Sequence, residues 1–151
     1  MTENPSLEAQ VCFALHSASR ATTAAYRTLL ADLGLTYPQY LVLLSLWERD
    51  GRGVNDLGEA LDLDSGTLSP LLKRLESQGL VERRRQTTDE RRVHIHLTEA
   101  GRALQPRAAD IPARLAQATG LTADELSALR DTLGRLRTGL HSAHTGEPTH
   151  P

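Results

Sequence analysis

The sequence predicts a mainly α-helical domain carrying one small β-hairpin, and three observations carry that expectation. First, residues 65–78 (SGTLSPLLKRLESQ) place Leu68, Leu71, Leu72 and Leu75 at i, i+3, i+4 and i+7, one apolar stripe at helical period. Second, residues 80–85 and 92–97 read as short strands, the latter alternating Val93, Ile95 and Leu97 with Arg92, His94 and His96. Third, a short helix over 55–61 precedes the striped helix across a tight turn. Helix, turn, helix and hairpin in that order make a winged helix–turn–helix.

Charge points the same way. The 151-residue chain carries a net charge of −2, which argues against indiscriminate nucleic-acid binding. Between Lys73 and Arg92, however, seven cations (Lys73, Arg74, Arg83, Arg84, Arg85, Arg91, Arg92) face four acids (Glu76, Glu82, Asp89, Glu90). That segment is +3, which leaves −5 on the rest of the chain. A basic patch on an acidic body attracts phosphate at one place only. The apolar stripe of the second helix leaves Ser65, Thr67, Ser69, Lys73 and Arg74 on its other faces. The three small polar residues suit the groove-facing start of a recognition helix, and the two cations suit phosphates or base edges. Pro70 leaves two expectations open: a helix starting near Thr67, or a kink.

The length is one domain's worth of chain, so a single domain is expected over 1–151. No leader of signal length and no membrane-spanning run is evident, so a soluble, cytoplasmic protein is expected. The single cysteine excludes an intrachain disulfide framework.

Each element has its own justification. Residues 7–33 should form one long helix, rich in alanine and leucine. Its stripe of Leu7, Val11, Leu15, Ala18 and Thr22 is too long for the helix to bury alone, and Gly34 ends it. Thr36-Tyr37-Pro38-Gln39 starts the next helix: Thr36 caps, Gln39 stands three residues on, and proline sits in the first turn. Leu41, Leu43, Leu44, Leu46 and Trp47 make that helix apolar nearly all round, the buried spine of a winged module over 37–98. Gly51 and Gly53 break the chain before the 55–61 helix. Gly79 ends the recognition helix, and the hairpin tip is Gln86-Thr87-Thr88-Asp89-Glu90-Arg91.

Beyond the hairpin, residues 99–141 should be helical, kinked or interrupted at Pro106 and Pro112. Thr122 and Glu125 form a second capping box. Leu126, Leu129, Leu133, Leu136 and Leu140 then step by 3, 4, 3 and 4, a heptad seam that wants another helix. The expected solution is a homodimer through the 7–33 and 99–141 helices, with a frayed tail over 142–151. A two-fold dimer would set two winged modules on successive half-sites of a palindromic operator. Folding back of both helices on one core is the alternative.

Cys12 poses the sharpest chemical question. A free cysteine usually packs as a small hydrophobe. Phe13 and Leu15 are apolar, but His16 lies one turn on and Arg20 two turns on. A cationic His16 would favour the thiolate, the reactive form; a neutral one would only exchange a hydrogen bond. The residues leave both open.

The blocks VCFALHSASR, LTYPQYLVLLSLWE, LDSGTLSPLLKRLESQGLVERRR and DERRVHIHLTEAG resemble the organic-hydroperoxide-sensing repressors of the multiple-antibiotic-resistance regulator (MarR) family, winged-helix dimers with one reactive cysteine in their simplest class. The Asp89-x-Arg91 tip followed by Leu97-Thr98 marks the broad family, and the CFAL and TYPQY blocks mark the peroxide-sensing branch. The resemblance is dense from Gln10 to Gly101 and looser beyond Pro112. It implies that Cys12 reacts with organic hydroperoxide, that Tyr26 and Tyr37 hydrogen-bond it, and that Arg91, held by Asp89, enters the minor groove. It also implies release of operator DNA once oxidised Cys12 is capped by a small cellular thiol or overoxidised, with Phe13, Leu15 and their neighbours lining an apolar pocket. His16 departs from the family, where a third tyrosine is common.

Geometry adds one constraint. Tyr26 is 14 positions from Cys12, roughly 21 Å along a straight helix, so a Tyr26 serving Cys12 must come from a partner's antiparallel helix. Competing readings are a MarR-type repressor released by a small aromatic or phenolic ligand and a thiol-dependent peroxidase, which lacks a resolving cysteine. A metal site at His94 and His96 is disfavoured against a solvated or phosphate-facing strand edge. No cofactor or metal is expected.

Overall fold

Helix α2 (Tyr37–Glu48) is the spine around which the first part of the chain packs, as the all-round apolar pattern predicts. Tyr40, Val42, Leu43 and Leu46 are each no more than 2 % exposed, while Leu44 at 38 % reaches the surface. The helix starts with the full reciprocal cap. Thr36 N–H donates to Gln39 Oε1 (2.9 Å), Gln39 N–H donates to Thr36 Oγ1 (3.4 Å), and Pro38 sits in the first turn. This computed structural model describes the backbone of residues 6–86 and 89–145, and the side chains of 6–85 and 92–144.

The expected continuous helix over 7–33 is instead three pieces. A 3-10 turn (Leu7–Ala9) ends at Gln10, whose extended backbone starts α1 (Val11–Leu29). A second 3-10 turn (Ala31–Leu33) closes on left-handed Gly34, φ 65°. The second break has a clear cause. Leu30 leaves the helix to become fully buried, and the tightened turn satisfies its carbonyl through Leu33 N–H at 3.0 Å.

After Gly51 (φ 73°), a two-residue strand β1 (Arg52–Gly53) leads into α3 (Val54–Leu61). Asp62 in the left-handed region ends α3, and α4 (Ser65–Ser77) follows. Strands β2 (Val81–Gln86) and β3 (Asp89–Leu97) form the hairpin. β3 is the centre of a three-stranded antiparallel sheet, ordered β1-β3-β2. The sequence reading had only the hairpin, because two residues carry no strand period. Val81 pairs with Leu97 and Arg83 with Ile95, and the ladder shifts register between Arg85 and Gln86.

Helix α5 (Glu99–Ala108) tolerates Pro106 near its end, and the chain is interrupted before α6 (Ile111–Thr119) rather than kinked. The buried core joins Leu30 and Leu35 to the leucines of α2 and α4, to Ile95 and Leu97, and to Leu104, Ala108 and Ile111. Two compact units divide the chain, Met1–Ile111 and Pro112–Pro151. In the second, Thr122 and Glu125 form the expected reciprocal cap of α7 (Ala123–Thr145), at 2.7 and 3.2 Å. Residues 142–145, expected to fray, continue that helix. Among the described residues no helix is long and apolar enough to cross a membrane.

Candidate DNA interface and thiol site

Helix α4 separates its two roles by face. Leu68, Leu71, Leu72 and Leu75 are buried, whereas Ser65, Thr67, Ser69, Lys73 and Arg74 are all exposed. The reading of a helix starting near Thr67 is overturned, since the helix starts at Ser65 and holds Pro70 in its interior. The lost proline N–H would have bonded the Gly66 carbonyl, which is exposed and open to water. The cap is Asp64, whose Oδ1 accepts from Thr67 N–H at 2.7 Å. That backbone bond, then the Thr67 hydroxyl, hold the Asp64 carboxyl below its ordinary range. Asp64 was missed in the sequence, although an aspartate just before an apolar periodic run is a preferred N-cap.

The wing cations are not all waiting for phosphate. Arg83 lies 3.8 Å from Glu76 and Arg84 pairs with Glu82. Such exposed pairs contribute about 0–1 kcal/mol and exchange readily. Arg85 and Arg92 are exposed near the outer end of the hairpin. The side chains of Asp89 and Arg91 lie outside the described residues.

The hairpin is locked to the end of α4 by the Leu97-Thr98-x-x-Gly101 junction. Thr98 Oγ1 donates to Gly79 O (2.6 Å) and accepts from Gly101 N–H (3.1 Å), and Thr98 N–H donates to Leu80 O (3.1 Å). Trp47 Nε1–H reaches Gly101 O at 3.0 Å. Gly101 has to be glycine, because a Cβ there would stand 2.1 Å from Leu80 O. Asp50 fastens the other side, accepting from Gly51 N–H (2.9 Å), Leu97 N–H (2.8 Å) and Arg102 (3.0 Å). Burial opposes its charge, but the two amides, Arg102 and nearby His96 together keep the carboxyl below its ordinary range.

His94 and His96 are half-buried rather than a solvated or phosphate-facing edge. The His94 ring nitrogen Nδ1 lies 2.9 Å from Gly51 O, and the His96 ring packs over Gly51. Among the described residues no three metal-ligating side chains converge.

Cys12 is exposed in the first turn of α1. Phe13, His16, Ser17, Arg20 and Ala21 line a shallow open groove. Neither Cys12 nor Leu15 lines it. At the other end of α1, Tyr26 stacks on Tyr37 with ring centroids 4.2 Å apart and planes at 23°. Tyr40 joins them, 5.9 Å from Tyr26, a residue the sequence reading passed over despite its i+3 spacing from Tyr37. Burial, then the neighbouring phenols Tyr37 and Tyr40, push Tyr26 up to about 12. Burial also raises Tyr37 and Tyr40. All three rings therefore stay protonated at neutral pH, and each carries an O–H that is able to donate. Within one chain Cys12 and Tyr26 lie at opposite ends of α1, and Tyr37 and Tyr40 of α2 gather at the Tyr26 end.

Comparison with known proteins decides the family. The family described as transcriptional regulator SarA/Rot matches residues 24–106. The organic hydroperoxide resistance transcriptional regulator of Bacillus subtilis is 47 % identical, covering 89 % of this chain and 92 % of its own. This chain belongs to the MarR/SarA-type winged-helix transcriptional regulators. The regulator is also 52 % identical to the HTH-type transcriptional regulator TtmR of Methylorubrum extorquens, over 91 % of this chain and 70 % of that one. A solved structure of reduced AbfR bound to DNA is 39 % identical and superimposes with a TM-score of 0.75, over 89 % of the regulator and 94 % of AbfR. The winged helix–turn–helix and the resemblance to hydroperoxide-sensing repressors are borne out together. The regulator is a DNA-binding protein of transcription, not an enzyme.

Proposed function

We propose that the regulator is a cytoplasmic repressor that binds a palindromic operator as a homodimer when reduced and lets go when Cys12 is oxidised by an organic hydroperoxide. The observation that carries this reading is the chain's single thiol, exposed at the start of α1, in a protein 47 % identical to an organic hydroperoxide resistance regulator. Protonated Tyr26 and Tyr37 support it as ready donors. The distance of Tyr26 from Cys12 along α1 supports a site shared between two chains, in which Tyr26 and the Tyr37 stacked on it serve the partner's thiol across antiparallel first helices.

In the chemistry proposed, the Cys12 thiolate attacks the hydroperoxide oxygen and the O–O bond breaks. Sulfur loses two electrons and takes the terminal OH as a sulfenic acid, and the rest of the peroxide leaves as an alkoxide that takes a proton from water to become the alcohol. No second cysteine exists in the chain to resolve it. A small cellular thiol therefore attacks sulfur and expels water, leaving a mixed disulfide. The relative AbfR is described reduced on DNA, overoxidised on DNA and with a disulfide formed. An overoxidised relative still bound to DNA weighs against overoxidation by itself as the released state. His16, beside the Phe13 groove, takes the neighbourhood that a tyrosine holds in the family.

On DNA, the start of α4 enters the major groove with Ser65, Thr67 and Ser69, Lys73 and Arg74 reach phosphates or base edges, and Arg91 braced by Asp89 enters the minor groove. The test is a gel shift of wild type beside Cys12→Ser, with and without an alkyl hydroperoxide and a small thiol. Peroxide with thiol should release wild type and leave Cys12→Ser bound. Release of both, or of neither, would sink the cysteine mechanism and favour a non-redox ligand.

A further inference from the structure

We propose that the Gln39–Gln78 amide pair is the positioning link that carries the state of the tyrosine stack to the recognition helix, an inference that rests on the redox reading above. Tyr37, which stacks on Tyr26, is the first residue of α2, and Gln39 lies in the same turn. Gln39 is only 4 % exposed and has two jobs. Its Oε1 accepts from Thr36 N–H, so its Nε2 is left to donate, and it donates to Gln78 Oε1 at 3.3 Å. Gln78 then turns its own Nε2 to Gly34 O at 3.4 Å. The network fixes the orientation of both amides, since any flip sets donor against donor or acceptor against acceptor.

Gln78 is the residue that ends α4, its N–H bonded to Arg74 O. Residues 39 positions apart are thus joined, tying the start of the helix that carries Tyr37 to the end of the helix that carries Ser65. The buried leucines of α2 and α4 set how the two helices pack, and the amide pair adds a directional bond between the start of one and the end of the other. Lever length makes the contact effective. Ser65 stands roughly 20 Å along α4 from Gln78, so a tilt of about 5° set at the cap moves the groove-facing end by roughly 2 Å. By linkage, whatever the tyrosines do to α4, operator bound to α4 must do to the tyrosines.

The test uses Gln78→Met, which keeps volume and removes both amide bonds, in two measurements. The first is the ratio of operator Kd after and before treatment with cumene hydroperoxide and cysteine. It should fall about fivefold relative to wild type, the worth of one neutral hydrogen bond, with the reduced Kd nearly unchanged. A merely structural role would weaken both states alike and leave the ratio intact. The second needs no peroxide: hydrogen exchange of the Thr36 and Gln39 amides by NMR, with and without operator DNA. Operator should slow both amides in wild type and not in Gln78→Met. Should Gln78→Met disturb the fold, Gln78→Asn, one methylene too short to span, reads the same quantities. Failure of wild type to respond to peroxide would overturn the redox reading, and the exchange measurement would then decide the link alone. Equal ratios and equal exchange in wild type and variant would overturn the link.

Discussion

Helices α1 and α4 look alike in sequence and differ in fate. Both carry an apolar stripe, and both expose serine, threonine and arginine on their remaining faces. Helix α4 buries all four of its stripe leucines; α1 buries no residue, and Val11, Phe13 and Leu15 stay 36–70 % exposed. Taken by itself, α7 repeats the α1 case, with Leu129, Leu133 and Leu140 all at the surface. An apolar stripe predicts that a helix will be buried but not by which chain. For α4 the answer lies within the winged module. For α1 and α7 the exposed stripes support a second copy, which is where the proposed thiol–tyrosine site would also be assembled.

The comparison breaks most sharply at Leu75. Leu75→Ala, in the fully buried stripe of α4, should cost about 3 kcal/mol in urea unfolding, at every protein concentration. Leu133→Asp on α7 should leave each chain folded and instead remove the rise of Tm with protein concentration that a dimer produces. A concentration-independent wild-type Tm would remove the contrast.

Smaller in effect is Gly101→Ala, which tests how far the wing depends on the α4 end. A methyl at 2.1 Å from a backbone carbonyl has no flexible side chain to displace. We expect a loss of about 2 kcal/mol in urea unfolding, with weakened operator binding in a gel shift. An unchanged unfolding midpoint would show the junction to be more pliable than its distances indicate.

Smallest is the alkaline titration of the tyrosines. All three tyrosines of the chain belong to one cluster, so tyrosinate absorbance has no background. The folded protein should ionise them above the ordinary value of 10, Tyr26 near 12. Since the unfolded chain loses those protons first, the stability they contribute is fully present below pH 10. It is lost as pH rises towards 12. Ionisation of all three at pH 10 in the native state would show the stack to be open.

What the sequence determined by itself is whatever a few neighbouring residues can decide. The caps at Thr36 and Thr122 close over three residues, and the α4 stripe repeats within two turns. The basic hairpin is legible because its strands alternate. The resemblance blocks carried the family, since they are short and contiguous. The tertiary structure decided what depends on partners far along the chain: the two-residue strand β1, Trp47 on Gly101, Asp50 on Leu97 and Gln39 on Gln78, contacts that span 39–54 positions. It also broke the first helix at Leu30, whose full burial depends on core partners far along the chain. Local hydrogen bonds are encoded where they form, whereas a long-range contact exists only after the core has brought its two ends together.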